Sequence, residues 1–252
     1  MRDTITPEKL EQKITEHELY LSSHGEQGTK LFLGSVEITS EVAIEDRNLS
    51  GASIQASSLN ILMRFCNFEG ANIAHSTFNG SSFEMCNFTD ASLSRNDFIK
   101  TKFIGGSFMG CNLKDNMIRN STFRYFLLAK NNMDQNKIYE NNFQGCIFRD
   151  NSGYGNVFTN NGFLRTTLNI SFGIFTEWRD NYIDHECNIN WSSRKMIVDV
   201  LKNTTDINIE SFAYLFGNYN SALNTFKDHL SYDRVLEKLR SYPGFPGGEE
   251  LL

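Results

Sequence analysis

The sequence has few prolines, three in 252 residues, and no run of about 18 apolar residues that could cross a bilayer as a helix. Its five cysteines are an odd number without C-x-x-C spacing, which fits a reduced, cytoplasmic chain better than a disulfide framework. The segment from Met1 to Leu21 is charged and amphipathic and lacks the apolar centre of a secretory signal. A net charge of −6 is modest and gives no reason to expect a direct nucleic-acid binder. G-x-S-x-G, Walker, H-E-x-x-H and G-x-G-x-x-G motifs are all missing, and His75 and His229 have no identifiable partner. The expectation is therefore a non-enzyme with no catalytic residue, metal or cofactor.

Phenylalanine is abundant instead, 21 residues, and it is placed regularly. From Met63 a large apolar residue returns every five positions through Phe68, Ile73, Phe78, Phe83, Phe88, Leu93, Phe98, Phe103 and Phe108 to Phe148. The phase resumes after Gly153 at Phe158, Phe163 and Leu168. Two residues before each large one stands a small or Asn-type residue, such as Cys66, Ala71, Ser76, Cys86, Asn96 or Thr101. Five matches neither the 3.6-residue period of a helix nor the two-residue period of a strand. It requires a coil that turns a corner in each repeat and buries one large and one small side chain per side.

Gly70-Ala71-Asn72-Ile73 and Asp90-Ala91-Ser92-Leu93 resemble the A-(D/N)-L-x-x pattern of the pentapeptide repeat family, of bacterial and phage type. The resemblance implies a right-handed, quadrilateral parallel β-helix with four repeats per turn. Residues twenty apart then share a face, which the sequence tests independently. One face collects Phe83, Phe103, Phe123 and Phe143; the next collects Phe68, Phe88, Phe108 and Phe148; a third is aliphatic, with Ile73, Leu93, Leu113 and Met133. Segregation of this kind favours like-on-like stacking at about 4.8 Å. Less regular repeats start at Leu33, with one extra residue before Ile44 and one lost between Leu59 and Met63. Seven coils make a rod on the order of 34 Å long.

A solenoid needs caps over its open strand edges. Residues 1–30 are expected to supply a helix begun by Thr6-Pro7-Glu8, with Leu10, Ile14, Leu19 and Leu21 on its apolar side and Gly25 and Gly28 at its end. The β-helix is expected over 31–175 and an α-helical C-terminal region over 176–252. There Met196, Ile197, Val200 and Leu201 form one stripe, and the helices offer a surface for a homodimer.

Cys66, Cys86, Cys111 and Cys146 sit at the small inward position, where a thiol fills a narrow core. Cys187, in Asp184-His185-Glu186-Cys187, lies outside the repeat and is read as part of a surface loop. Phe126 occupies a position that wants a small residue, which predicts local distortion. Among the outward positions, Met109, Leu127, Ala129 and Ile147 gather on one side beside Ile104 and Tyr125. Two readings of this patch stay open: a surface covered by the N-terminal segment or the C-terminal helices, and a partner surface. The resemblance implies one specific partner, the type II topoisomerase DNA gyrase, bound by imitating duplex DNA. That role wants an acidic rod, whereas residues 31–172 hold twelve acidic and twelve basic residues. A protein-binding scaffold with a partner of unknown identity is the leading expectation, with the DNA mimic as the alternative.

Overall fold

A five-residue repeat closes into a coil only if each repeat bends sharply, and the backbone shows where. From residue 65 to residue 165, every fifth residue is left-handed, with φ between +50° and +75°. The corner residue still donates its N–H to the next coil: Met85 to the Ile104 carbonyl at 2.7 Å, Tyr125 to that of Gln144 at 2.9 Å. The computed structural model describes residues 2–170, 175–179, 181–183 and 187–191.

Three-residue strands between the corners stack in parallel on four faces. Face 1 carries Leu33, Ile54, Ile73, Leu93, Leu113, Met133 and Gly153 in register. Face 2 carries Ile38, Leu59, Phe78, Phe98, Ile118, Ile138 and Phe158. Face 3 carries Ile44, Met63, Phe83, Phe103, Phe123, Phe143 and Phe163. On face 4, Phe108, Leu128, Phe148 and Leu168 align. This is the four-sided parallel β-helix expected from the twenty-residue super-period.

Both slips in the sequence map to one place. β1 (Asp3–Thr4), α1 (Pro7–Ser22) and β2 (Phe32–Gly34) precede β3 (Val36–Glu45), β4 (Ser53–Gln55) and β5 (Ser58–Arg64). β3 and β5 run straight through from face 2 to face 3, where later coils turn a corner. In β5 the inward residues Leu59, Ile61 and Met63 therefore alternate as in an ordinary strand, which shortens the coil by one residue. β3 absorbs its extra length in a register shift between Ile38 and Val42.

The ladder also runs beyond the boundary expected at residue 175. Phe175–Arg179, Tyr182–Ile183 and Asn188–Trp191 pair in parallel with the coil before them. The five-residue spacing fades there because a bulge lies at Asn156/Val157 and the offset between Thr167 and its partner Asn188 is one residue longer. The helices expected further on, including the Met196–Leu201 stripe, lie outside the described residues.

The core is a stack of rings. On face 3, Phe83, Phe103, Phe123 and Phe143 lie nearly parallel with centroids 5.3, 4.6 and 4.7 Å apart. Rings on adjacent faces meet edge to face, as Phe103 does with Phe98 and Phe108 at 5.5 and 5.4 Å. On face 4, Phe68 and Phe88 stack, but Phe88 and Phe108 are tilted by 65°. The tilt sits next to Phe126, which is wholly buried and packs edge-on against Phe103, Phe108 and Phe123. The distortion expected at Phe126 is confined to that ring tilt and leaves the backbone regular. The Phe126 ring uses the space above Gly106, where a β-carbon would stand 3.0 Å from it, and the flanking backbone hydrogen bonds are kept.

The Asn-type inward residues do more than fill space. Asn96, Asn116, Asn136 and Asn156 form a buried column. The backbone N–H groups of Asn96, Asn116 and Asn136 each donate to the amide oxygen of the Asn one coil on, at 3.0 Å. Each side-chain NH2 in turn donates back to a carbonyl 23 residues earlier, for example Asn116 to Leu93 at 2.8 Å. The corner N–H groups that lie outside the strand ladder are satisfied in this way, which a buried backbone requires.

α1 closes the open first coil. Thr6 caps it by accepting the Lys9 N–H, and Pro7 stands at its first turn, as the sequence indicates. Its buried face is Leu10, Ile14 and His17, the i, i+4, i+7 set, whereas Leu19 points outward. Arg47 of the first coil binds Glu11 and Glu18 of α1, and Glu18 also accepts the Asn48 backbone N–H at 2.9 Å.

His17 Nδ1 accepts the Leu31 N–H at 3.1 Å, so the ring is neutral with its hydrogen on Nε2. Burial, with Lys30 adding to it, holds its pKa below the ordinary 6.5. The unfolded segment takes up a proton near pH 6.5 and the docked one does not, so docking is strongest above that pH and weakens as pH falls below it. Hydrogen exchange at the Leu31 amide, corrected for its intrinsic rate, should accelerate from pH 7.5 to 5.5. Equal protection at both pH values would remove His17 from the cap.

Candidate functional site

Parallel stacking converts every outward position into a column, and one column is apolar. The corner between faces 3 and 4 reads Asp46, Phe65, Met85, Gly105, Tyr125, Gly145 and Arg165, all with left-handed φ. Phe65, Met85 and Tyr125 are 58%, 55% and 70% exposed. Glycine at the two gaps leaves room for neighbouring side chains; φ alone does not demand it, because Phe65, Met85 and Tyr125 hold the same left-handed corner. Met85 Sδ fills the place of a β-carbon on Gly105, and the Tyr125 ring comes within 2.7 Å of one on Gly145. Side chains thus project at alternate coils, as Phe65, Met85 over Gly105, and Tyr125 over Gly145.

Face 4 continues this ridge. Leu127 is in register with Ile147 and Met109 with Ala129. Ile147 is exposed, Met109 and Leu127 are half-buried, and Ile104 lies half-buried on face 3. Tyr125, Leu127 and Ile147 are therefore brought together, with Ile104 and Met109 on either flank. Ala129 is fully buried and adds nothing to the surface, its methyl lying between Met109 and Arg149 in the register. Phe65 and Met85 extend the ridge toward the first coil; their twenty-residue spacing from Tyr125 was the sequence signal for them.

The cysteines are core. Cys66, Cys86, Cys111 and Cys146 are buried free thiols. Burial pushes Cys111 up to about 12 and Cys146 up to about 11. A hydrogen bond with Cys66, together with burial, pushes Cys86 higher still. Cys86, Cys111 and Cys146 are therefore poor nucleophiles and poor ligands at neutral pH. Cys187 is not in a surface loop. It continues the inward column of Cys66, Cys86 and Cys146, donating to the Phe163 carbonyl at 3.2 Å and accepting the Thr166 N–H at 3.3 Å. Among the described residues no group of three His, Cys, Asp or Glu is placed to hold a metal ion. A core void of about 10 Å³ beside Phe98, Phe108 and Leu113 is too small and too apolar for a ligand. None of the helices in the described residues is long and apolar enough to cross a membrane.

Residues 66–103 and 81–115 match the family model for pentapeptide repeats, in eight copies. This stretch of the chain carries pentapeptide repeats. No curated protein matches the sequence. Among solved structures, the pentapeptide repeat chain is similar to trypsin-treated QnrB1, a plasmid-mediated fluoroquinolone resistance protein. The identity is 12%, covering 69% of this chain and 96% of that one, with a TM-score of 0.31. It is also similar to HetL, a pentapeptide repeat protein involved in heterocyst differentiation regulation from the cyanobacterium Nostoc sp. strain PCC 7120. There the identity is 11%, covering 68% of this chain and 90% of that one, with a TM-score of 0.22.

Proposed function

We propose that this pentapeptide repeat chain is a non-catalytic, cytoplasmic protein-binding scaffold that engages its partner along the ridge between faces 3 and 4. One observation carries the reading: Phe65, Met85, Tyr125 and Ile147 are exposed in one continuous strip, whereas the other exposed large apolar residues of the rod, Phe32 and Tyr154, stand apart from it on face 1. Exposed apolar area of that continuity marks an interaction surface on soluble proteins. A rigid backbone, fixed at every corner, presents these side chains with little ordering cost on binding.

Affinity capture from host lysate tests this with the full chain against Tyr125→Asp/Ile147→Asp. A specific partner held by the wild type should be lost by the variant. A partner retained equally by both places binding elsewhere.

The alternative, a DNA-mimicking inhibitor of DNA gyrase, predicts inhibition of supercoiling that is strongest at low salt. The equal acidic and basic counts over residues 31–172 weigh against it. No inhibition at micromolar protein and low salt would dismiss it.

A further inference from the structure

The residues of the ridge column are not a palindrome, but the levels at which its side chains project are symmetric. Counting by coil from the first to the seventh, it runs Asp46, Phe65, Met85, Gly105, Tyr125, Gly145, Arg165. Its middle member is Gly105. Because Met85 leans over Gly105 and Tyr125 over Gly145, the projecting groups stand at the second, fourth and sixth levels as aromatic, methionine and aromatic. An acid closes one end and a base the other.

The charge of the whole solenoid follows the same polarity. Residues 31–90 carry seven acidic and two basic side chains, whereas residues 91–170 carry five acidic and ten basic. The net zero of the rod therefore conceals two halves of opposite sign. α1 and the rest of the first 30 residues add six acidic and four basic groups to the acidic end.

We infer that the ridge binds a second copy of this chain, antiparallel, about a two-fold axis at the level of Gly105. This rests on reading the ridge as a protein-binding surface and names its partner. Such an axis maps each column onto itself in reverse, as an isologous contact requires. It sets Phe65 against the Tyr125 ring over Gly145, Met85 against Met85, and Asp46 against Arg165. On the face 3 flank it sets Glu84 against Arg124 and Ile104 against Ile104. The acidic half of each rod then lies along the basic half of the other, so the long-range field steers the antiparallel pairing and opposes the parallel one. The homodimer expected through the C-terminal helices would use residues outside the described ones; this contact needs none of them. A strip about 25 Å long and 20 Å wide buries on the order of 1,000 Å² in total, the size of a weak, reversible dimer.

Sedimentation of the full chain over a range of about 5 to 200 µM in low salt should show a monomer–dimer equilibrium. Raising salt to about 0.5 M should weaken it several-fold by screening. Tyr125→Asp should weaken it about tenfold or more, equivalent to one lost central contact. This corner side chain is outside the core, so an unchanged melting curve shows that the variant folds.

A short thiol-to-thiol cross-linker fixes the orientation. Gly105→Cys should be trapped as a covalent dimer, with the flexible Met85 end swinging aside. Asp46→Cys and Arg165→Cys should each fail alone and succeed when mixed. Trapping of Asp46→Cys by itself would mean parallel rods and would overturn the inference. A chain that stays monomeric throughout would overturn it too, while leaving the scaffold reading to the capture experiment, whose partner is a different protein. A dimer untouched by Tyr125→Asp would place self-association off the ridge and also reject it.

Discussion

Phe103→Ala is expected to destabilise the solenoid by about 3–5 kcal/mol, enough to leave its central coils open under mild urea. Phe103 is wholly buried, stacks on Phe83 and Phe123, and meets Phe98, Phe108 and Phe126 edge-on. Removing it deletes a ring that five others use as a wall. Those rings cannot close the gap, because each is fixed to a strand whose register is set by the coils on both sides. In a linear array each coil is supported only by its neighbours, so a void at the fourth coil uncouples the acidic half of the rod from the basic half. The neighbouring outward residue Asn79 is exposed, and Asn79→Ala should change stability by less than about 0.5 kcal/mol. Urea midpoints of the two variants compare them directly. Equal midpoints would mean that the inward and outward positions have been exchanged.

How far the fold was legible depended on whether a feature repeats. The five-residue period and the twenty-residue segregation of aromatic from aliphatic residues state the face of every inward side chain from Met63 to Phe148, and the structure keeps that register. Features set by one contact between coils were not legible. Phe126 looked out of place because its position wants a small residue; the compensating glycine, Gly106, lies a full coil earlier. Cys187 looked like part of a loop because the last coil carries an extra residue that breaks the phase. On α1, hydrophobicity favoured Leu19 for the buried face, yet helical geometry puts His17 there, where it takes the Leu31 N–H that an aliphatic side chain could not.

The candidate site was half legible for a similar reason. Ile104, Met109, Tyr125, Leu127 and Ile147 are close in sequence and drew notice as apolar residues among polar ones. Phe65 and Met85 are exposed just as Tyr125 is, but they sit in a corner position where most repeats have a glycine or a charged or polar residue. Only following that one corner through all the coils shows the ridge, together with the glycines that seat its side chains.

Asn116→Ala should cost about 2–5 kcal/mol, although it removes a polar residue from an apolar core. In that column Asn116 Oδ1 accepts the Asn96 backbone N–H at 3.0 Å and one hydrogen of the Asn96 side-chain amide at 3.2 Å. Truncation leaves both donors buried without a partner, at about 1–3 kcal/mol each. Asn116 Nδ2 also ceases to donate to the Leu93 carbonyl and to the Asn136 amide oxygen, the latter still accepting the residue-116 backbone N–H. Serine should restore part of the loss. Elsewhere the same inward position is served by a hydroxyl, as where Ser121 Oγ accepts the Thr101 N–H at 3.0 Å and Ser76 Oγ the Ser57 N–H at 3.2 Å. The order wild type, Asn116→Ser, Asn116→Ala in thermal midpoint is therefore the result to look for. The exposed Asn112→Ala is the control and should stay near wild type. If Asn116→Ala matched that control, the buried ladder would be filling space rather than satisfying the backbone, and the corners would need another source for their hydrogen bonds.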